Sequence, residues 1–210
     1  MIKRVEKITD KITLYNCDCM EYMKGIPDKY YDLAIVDPPY GIGITKERMG
    51  GRKTVTPNKD KNWDDAAPKK EYFDELFRIS KNQIIWGGNY FDLPISRYFA
   101  IWDKAKYGLS FAECEYAWVR SGGTRIFKKS SVQLHRFHPT QKPVELYEWL
   151  LKTYAKTTDR IIDTHFGSCS IGIACHNFGC TLDACELDEE YFDSAYKRLK
   201  IQVGQLDLFR

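Results

Sequence analysis

The sequence predicts a single α/β domain, with a mostly parallel, twisted sheet and helices on both faces. The chain has 210 residues, 43% of them hydrophobic, which is enough for one sizeable core and too little for two full domains. Short β-branched or aromatic runs recur along it, and apolar residues at helical spacing separate several of these runs. Strands that alternate with helices are typical of α/β sheets, which bind ligands beyond the carboxyl ends of their strands.

Seven runs are strand candidates because each ends near a turn residue or an acid. They are "KITLY", "DLAIVD", "NQIIWGG", "RYFAIWD", "CEYAWVR", "RIIDTH" and "TLDACELD". Spacings of three, four or seven residues predict three helices, which contain Phe73, Leu76 and Phe77; Tyr147, Leu150, Leu151 and Tyr154; and Phe192, Ala195, Tyr196 and Leu199. Pro143 suits the first turn of the second of these helices.

Composition restricts the classes of partner. Lys and Arg exceed Asp and Glu by 32 to 29, so a polyanionic partner would need a local basic surface. The seven cysteines include no C-x-x-C pair, which argues against a disulfide framework or a zinc ribbon, and we predict no metal site. Since no apolar run reaches membrane-spanning length, we expect a soluble, cytoplasmic protein with no membrane partner.

Two polar stretches interrupt the α/β pattern, and both are candidate insertions. Residues 41–65 are rich in glycine and charge and predict a mobile loop. Residues 121–138 gather basic side chains without acids, which is equally consistent with a surface that follows a phosphate backbone and with a solvated basic loop. The candidate nucleic-acid contacts in the two stretches are Arg52, Lys53, Arg125, Lys128, Lys129 and Arg136.

An acid and two prolines end one predicted strand in "AIVDPPYG", residues 34–41. Proline fixes φ, lacks an N–H group and restricts the residue before it, so the backbone of "DPPY" is close to rigid. The turn also presents proline carbonyls with no competing donors. For the motif taken alone, a rigid structural turn after a strand is the less favoured alternative.

The segment "RIIDTHFGSCSIGIACHNFGCTLDACELD" predicts a strand, a glycine turn, a helix, a strand and an acid, which is the first half of a nucleotide-binding βαβ unit. Glu186 follows Gly167 by 19 residues, near the ~20 expected for an acid that binds a ribose diol. There is no G-x-G-x-x-G, which favours a nucleoside cofactor without a pyrophosphate, such as S-adenosylmethionine. A purely structural turn is the alternative.

Four segments in this order resemble the β class of amino-group DNA methyltransferases, in which the catalytic motif precedes the cofactor glycine motif. They are "NCDCMEYMKGIPDKYYDLAIVDPPYGI", "HPTQKPVELYEWLLK", "IIDTHFGSCSIGIAC" and "ACELDEEYFDSAYKRL". The resemblance spans residues 12 to about 200. It implies a Rossmann-like methyltransferase fold with permuted motif order, S-adenosylmethionine as cofactor and DNA as partner, in a bacterial or phage protein.

The resemblance also implies the site residues. The catalytic set is Asp37, Pro38, Pro39 and Tyr40, with Tyr40 stacking on a flipped-out base. The cofactor-binding set is Asp18, Cys19, Asp37, Lys142, Pro143, Asp163, Phe166, Gly167, Ser168 and Glu186. Within that set, Asp18 would accept the adenine amine of the cofactor and Glu186 the ribose hydroxyls. One departure bears on cofactor affinity, because Cys169 stands where the family usually has a second glycine.

Asp37 at the head of the motif favours adenine N6 as the acceptor, since the family uses mostly Ser there for cytosine N4. Three alternatives stay open: a cytosine-N4 methyltransferase, an RNA or protein-amide methyltransferase, and a catalytically decayed DNA-binding module. The sequence does not distinguish a restriction-modification enzyme from a phage orphan. It does not fix the recognition site or exclude a homodimer.

The C-terminus "VGQLDLFR" predicts that Gly204 ends the last helix and that residues 204–210 form a short tail. The residues Gln205, Leu206, Leu208 and Phe209 match the pentapeptide through which bacterial proteins dock to the replication sliding clamp. Folding of these apolar side chains onto the core is the alternative. The domain prediction is therefore one methyltransferase domain, residues 1–210, with two insertions and this tail.

Overall fold

We describe a computed structural model, which covers residues 1–43, 64–108, 112–132, 138 and 140–207, with side chains described as far as residue 204. Within these residues, one sheet of nine strands runs in the order β1-β2-β9-β8-β3-β4-β6-β5-β7. The strands are β1 (Arg4–Lys7), β2 (Ile12–Asn16), β3 (Tyr31–Val36), β4 (Ser80–Trp86), β5 (Tyr98–Asp103), β6 (Cys114–Val119), β7 (Arg125–Lys128), β8 (Arg160–Asp163) and β9 (Thr181–Glu186).

Helices cover both faces of the sheet. They are α1 (Cys19–Lys24), α2 (Lys70–Ile79), α3 (Val144–Tyr154), α4 (Ser170–Phe178) and α5 (Glu189–Asp207). Buried side chains of α3, α4 and α5 form one core layer, and those of α1 and α2 form the other. Successive strand residues point to opposite faces, so Ile161 of β8 belongs to the first layer and its neighbour Ile162 to the second.

The centre of the sheet is parallel, which brings several chain segments to one edge. Neighbouring strands are parallel in the run β2, β9, β8, β3 and β4. In contrast, β1 is antiparallel to β2, β6 is antiparallel to β4, and β5 is antiparallel to β6. Asp18, Asp37, Asp163 and Glu186 each lie at or just after the carboxyl end of a parallel strand. The predicted α/β class and all seven predicted strands are confirmed.

Two short edge strands, β1 and β7, were not predicted. Each has four residues, of which three are charged in "RVEK" and two in "RIFK", so neither forms an apolar run. Strand β7 corrects the prediction for residues 121–138, because residues 125–128 pair with β5 at the sheet edge and are not a loop. Phe127 anchors this edge by stacking on Trp149 of α3, with ring centroids 5.3 Å apart.

The last helix also differs from its prediction, because α5 continues through Gly204 to Asp207. A single glycine costs a helix only ~1 kcal/mol, and the preceding turn is held by the buried Val203. The side chains of Gln205 and Leu206, and all of Leu208 and Phe209, lie outside the described residues. Among the helices that the structure describes, none has the length and apolar character needed to cross a bilayer.

Candidate active site

A cavity of about 850 Å³ opens at the carboxyl edge of the parallel strands. Most of the predicted cofactor-binding residues line it, namely Asp18, Cys19, Asp37, Lys142, Phe166, Gly167, Ser168 and Glu186. Two predicted residues do not. Pro143 precedes the first residue of α3, and the Asp163 side chain is buried beneath the glycine turn, where its Oδ1 accepts a hydrogen bond from the His165 N–H at 3.0 Å.

The "DPPY" turn follows β3 directly and places Asp37 on the cavity wall. Both carboxylate oxygens of Asp37 are engaged: the Tyr40 hydroxyl donates to Oδ1 at 2.7 Å, and Lys142 Nζ lies 2.5 Å from Oδ2. Each oxygen still has a second lone pair for another donor. Burial, followed by the charge of Asp37, raises the pKa of Tyr40 well above its ordinary value, so this hydroxyl remains a donor.

An acid near the end of the first insertion, Asp64, fixes the end of the turn. Asp64 is buried, and its Oδ1 accepts hydrogen bonds from the backbone N–H groups of Tyr40 at 2.7 Å and Gly41 at 3.0 Å. Its carbonyl accepts from the Gly43 N–H at 3.1 Å. The catalytic turn is therefore held by proline rigidity on one side and by charge-assisted hydrogen bonds on the other.

The Tyr40 ring lies in an aromatic stack. It is nearly parallel to the half-exposed Tyr90, with centroids 4.8 Å apart and planes 13° apart. Its edge lies against Gly87, whose φ is +69° and where an added Cβ would be 2.3 Å from the ring. Only glycine fits there. For Tyr40 to stack on a base, the base must take the opposite face or displace Tyr90.

Lys142 belongs to a line of alternating charges. Its Nζ also lies 3.3 Å from Glu115 Oε2, and Lys104 Nζ lies 2.7 Å from Glu115 Oε1. The Lys142 side chain is only 3% exposed. Burial by itself lowers the pKa of Lys142, but Asp37 and Glu115 outweigh burial and raise it. For Glu115, burial raises the pKa and the two ammonium groups outweigh it, so the net shift is downward.

The glycine turn between β8 and α4 is shaped around the cavity. Gly167 has φ +47°, and an added Cβ would lie 3.2 Å from the His138 ring. Its N–H donates to Glu186 Oε2 at 3.0 Å, while the Asp188 N–H donates to Oε1 at 2.9 Å. Burial raises the pKa of Glu186 to about 7 and, aided by the charges of Asp37 and Glu186, that of Asp163 to about 8.

Cys169 adopts the left-handed conformation, with φ 55° and ψ 34°, immediately before α4. This backbone geometry explains why a glycine suits the position. The thiol is fully buried and lies over Gly172, where an added Cβ would be 2.5 Å from Sγ. Burial raises the pKa of this thiol to about 12. Cys169 itself does not line the cavity.

Asp18 and Cys19 line the cavity beside the glycine turn. Asp18 caps α1 through Oδ1, which accepts from the Met20 N–H at 2.7 Å and the Glu21 N–H at 3.4 Å. Cys19 Sγ lies 3.9 Å from His165 Nε2, and burial raises the pKa of this thiol to about 12. Burial also lowers the pKa of His165 to about 4, so this ring is neutral at pH 7.

Known proteins with a similar sequence or fold include DNA methyltransferases. A family model described as "DNA methylase" matches residues 96–197. The protein YubD of Escherichia coli (strain K12) is 25% identical over 206 residues, covering 87% of each chain. The type II methyltransferase M.HinfI of Haemophilus influenzae is 22% identical over 254 residues, covering 93% of this chain and 70% of M.HinfI. This chain is related to the N6/N4 group of DNA methyltransferases.

Solved structures place the fold in the same group. The M1.HpyAVI complex with SAM has a TM-score of 0.60 at 20% identity, covering 90% of this chain and 98% of that one. The cytosine-N4-specific PvuII DNA methyltransferase also has a TM-score of 0.60, at 12% identity, covering 94% and 93% of the two chains. The Rossmann-like methyltransferase fold is therefore confirmed.

Several residues of this methyltransferase-like cavity were not predicted. They include Tyr72, His138, Thr140, Thr164, His165, Asp188 and Tyr191. Thr164 and His165 stand inside the quoted glycine-turn segment, so their position between strand and turn was an available signal. No sequence signal pointed to Tyr72, because it reaches the cavity from the separate helix α2. Its hydroxyl lies 2.6 Å from Thr164 Oγ1.

The predicted DNA contacts are only partly described. Arg52, Lys53 and Arg136 lie outside the described residues. Lys128 and Lys129 have acidic neighbours, since their Nζ atoms lie 4.0 Å from Asp103 and 2.7 Å from Glu145. Arg125 is exposed on β7, and its Nη1 donates to the Thr124 carbonyl at 2.9 Å. The part of 121–138 that the structure describes thus presents paired lysines along a sheet edge.

Proposed function

We propose that this protein transfers the methyl group of S-adenosylmethionine to the N6 amine of adenine in DNA. One observation carries the proposal: Asp37 of the "DPPY" turn and Glu186 of the glycine unit line the same cavity. A group able to bind a base amine and a group able to bind a ribose diol thus face a common space. Relationship to the N6/N4 group of DNA methyltransferases supports both assignments.

The residues present fit the proposed cofactor. The cavity volume of about 850 Å³ is within the ~300–1,000 Å³ of small-molecule sites. Gly167 lines the cavity without a side chain, Glu186 offers carboxylate oxygens to hydroxyl donors, and Asp18 offers an acceptor to an amine. When bound, S-adenosylmethionine supplies an electrophilic methyl group on a sulfonium.

Asp37 and Pro38 make the base amine a better nucleophile in this proposal. A base amine is a weak nucleophile because its lone pair is delocalised into the ring. If the Asp37 carboxylate and the Pro38 carbonyl accept its two N–H groups, the nitrogen is drawn toward tetrahedral geometry and its lone pair becomes available. The rigid turn holds both acceptors before the base arrives, which is electrostatic preorganisation. The carboxylate also stabilises the cationic nitrogen that methylation creates.

Adenine is the proposed base because Asp heads the motif. Cytosine N4 is the second candidate, since a cytosine-N4-specific enzyme shares the fold over 94% of this chain. Both bases present an exocyclic amine beside a ring nitrogen that accepts hydrogen bonds, so one site could hold either in outline. The sliding clamp and a homodimer remain predictions that none of the related proteins supports.

The test is transfer of a labelled methyl group to double-stranded DNA, single-stranded DNA and RNA, followed by digestion and mass spectrometry of the nucleosides. We expect N6-methyladenine from double-stranded DNA. N4-methylcytosine would replace the adenine assignment, label in RNA alone would redirect the substrate, and no transfer would favour a decayed DNA-binding module.

Asp37→Ala tests the catalytic role. We expect it to abolish methylation while leaving S-adenosylmethionine binding, measured by calorimetry, largely intact, because Asp37 acts on the base amine. Asp10→Ala is the matched control, since Asp10 has a fully exposed side chain in the turn between β1 and β2 and does not line the cavity. More than a few per cent of wild-type turnover in Asp37→Ala at saturating cofactor would contradict the role.

A further inference from the structure

Glu115 is an acid near the "DPPY" turn that belongs to none of the sequence motifs. It lies on β6, far in sequence from Asp37, and reaches the site because β6 pairs with β4 beside β3. Its side chain lines a second cavity of about 70 Å³, which is also lined by Asp37, Pro38, Pro39, Tyr40, Asp64, Thr140 and Lys142. Glu115 thus faces the space immediately beside the turn.

Asp37, Lys142, Glu115 and Lys104 form a charge network. Lys142 Nζ lies between two carboxylates, 2.5 Å from Asp37 and 3.3 Å from Glu115, and it also lies 5.1 Å from the centroid of the Trp86 ring. Buried ammonium groups require such compensation. With two acids and two ammonium groups, the network has zero net charge.

The proposed reaction increases positive charge beside this network. As the amine lone pair forms the new N–C bond, the methyl–sulfur bond breaks and its electron pair stays on sulfur. The nitrogen is cationic until it releases one proton, for which Asp37 is the acceptor already in contact. Without Glu115, the charge of Lys142 would cancel that of Asp37 and Lys104 would add one further positive charge.

We propose that Glu115 is a positioning residue for methyl transfer: it shares the Lys142 ammonium with Asp37 and cancels its charge, so that the Asp37 carboxylate can stabilise the cationic nitrogen. This inference rests on the proposed function. Glu115 does not touch the reacting atoms in this account, and it acts through the two ammonium groups that it contacts, those of Lys142 and Lys104. The role explains why an acid stands on β6 at this depth.

Glu115→Gln preserves shape and removes the charge. At saturating S-adenosylmethionine, we expect its single-turnover methylation rate to fall on the order of 10- to 100-fold, with little change in cofactor affinity. Glu113→Gln is the matched control, because Glu113 is an exposed acid two residues away. Glu115→Asp keeps the charge and is expected to retain much of the rate.

A double variant separates charge from packing. Glu115→Gln gives the network a net charge of +1, and Lys142→Met added to it returns the network to zero. We therefore expect the double variant to be faster than Glu115→Gln alone, whereas loss of packing alone would make it slower. If Glu115→Gln does not fold, Lys104→Met serves instead, since it makes the network negative and should leave the rate at or above wild type.

Cofactor-free protein provides a second readout. A double-variant cycle of unfolding free energy should show coupling between Glu115 and Lys142, because each single variant removes the ion pair between them, in which Lys142 Nζ lies 3.3 Å from Glu115 Oε2. A wild-type rate in Glu115→Gln, a double variant slower than Glu115→Gln, or additive stability losses would overturn the inference. Absence of methyl transfer by wild type would instead reject the proposed function, and the stability cycle would still test the network.

Discussion

S-adenosylmethionine binding is expected to depend on pH through Glu186. Its two carboxylate oxygens accept backbone hydrogen bonds from Gly167 and Asp188, and burial raises the pKa of the side chain to about 7. Ribose hydroxyls bind the ionised carboxylate better than the protonated acid, since an ionised acceptor makes the stronger hydrogen bond. Affinity should therefore rise as pH increases through 7.

The magnitude follows from the pKa of the free protein. With a pKa of about 7, roughly one tenth of Glu186 is ionised at pH 6 and roughly nine tenths at pH 8. The dissociation constant should therefore fall about tenfold between these pH values, or ~1.3 kcal/mol of binding free energy. Above pH 8 it should level off.

Calorimetry at pH 6, 7 and 8 measures the effect, with Glu186→Gln as the comparison. The glutamine variant should bind more weakly at pH 8 and should lose most of the pH dependence. Asp163 titrates nearby, with its pKa raised to about 8 by burial, but it does not line the cavity. Equal dissociation constants at pH 6 and 8, or an unchanged slope in Glu186→Gln, would refute the assignment of this carboxylate to the ribose.

Three further predictions concern the turns and the tail. Asp64→Asn weakens charge-assisted hydrogen bonds to two backbone N–H groups of the "DPPY" turn, so single-turnover methylation should slow about tenfold. Asp65→Asn is the control, because Asp65 is the exposed neighbour of Asp64. Equal rates in the two variants would contradict the expectation. The free energy of unfolding of Cys169→Gly should exceed that of Cys169→Ala by ~1 kcal/mol, because only glycine adopts this positive φ without strain. Chemical denaturation measures both values. A more stable alanine variant would contradict backbone strain at this position. Deleting residues 205–210 should leave the melting temperature nearly unchanged and abolish binding to a purified bacterial sliding clamp, and clamp binding by the shortened chain would locate that interaction elsewhere.

Local patterns were sufficient to predict the two halves of the site. The "DPPY" turn and the glycine unit depend on proline restriction, glycine conformation and the spacing from Gly167 to Glu186, all of which lie within short stretches of chain. The strands that carry them are also short apolar runs between turn residues. Both halves lie on one cavity because parallel strands end at the same sheet edge.

Glu115 and Lys104 could not have been found in this way. Their approach to Asp37 depends on the antiparallel pairing of β6 with β4, which joins segments about thirty residues apart without a local signal. The edge strand β7 was missed for a related reason, because only Ile126 and Phe127 separate its charged ends. The prediction that Gly204 ends the last helix was wrong, since α5 continues through this glycine to Asp207.

The bonds that Asp64 makes have an evolutionary consequence. Because they join it to Tyr40, Gly41 and Gly43, the chain leaves the catalytic turn and returns to it at nearly the same point. Doubling the length of a loop between two such fixed ends costs only ~0.6 kcal/mol of closure entropy. We therefore expect that related chains can differ in the length of the sequence between Gly43 and Asp64 while they keep the same geometry of the "DPPY" turn.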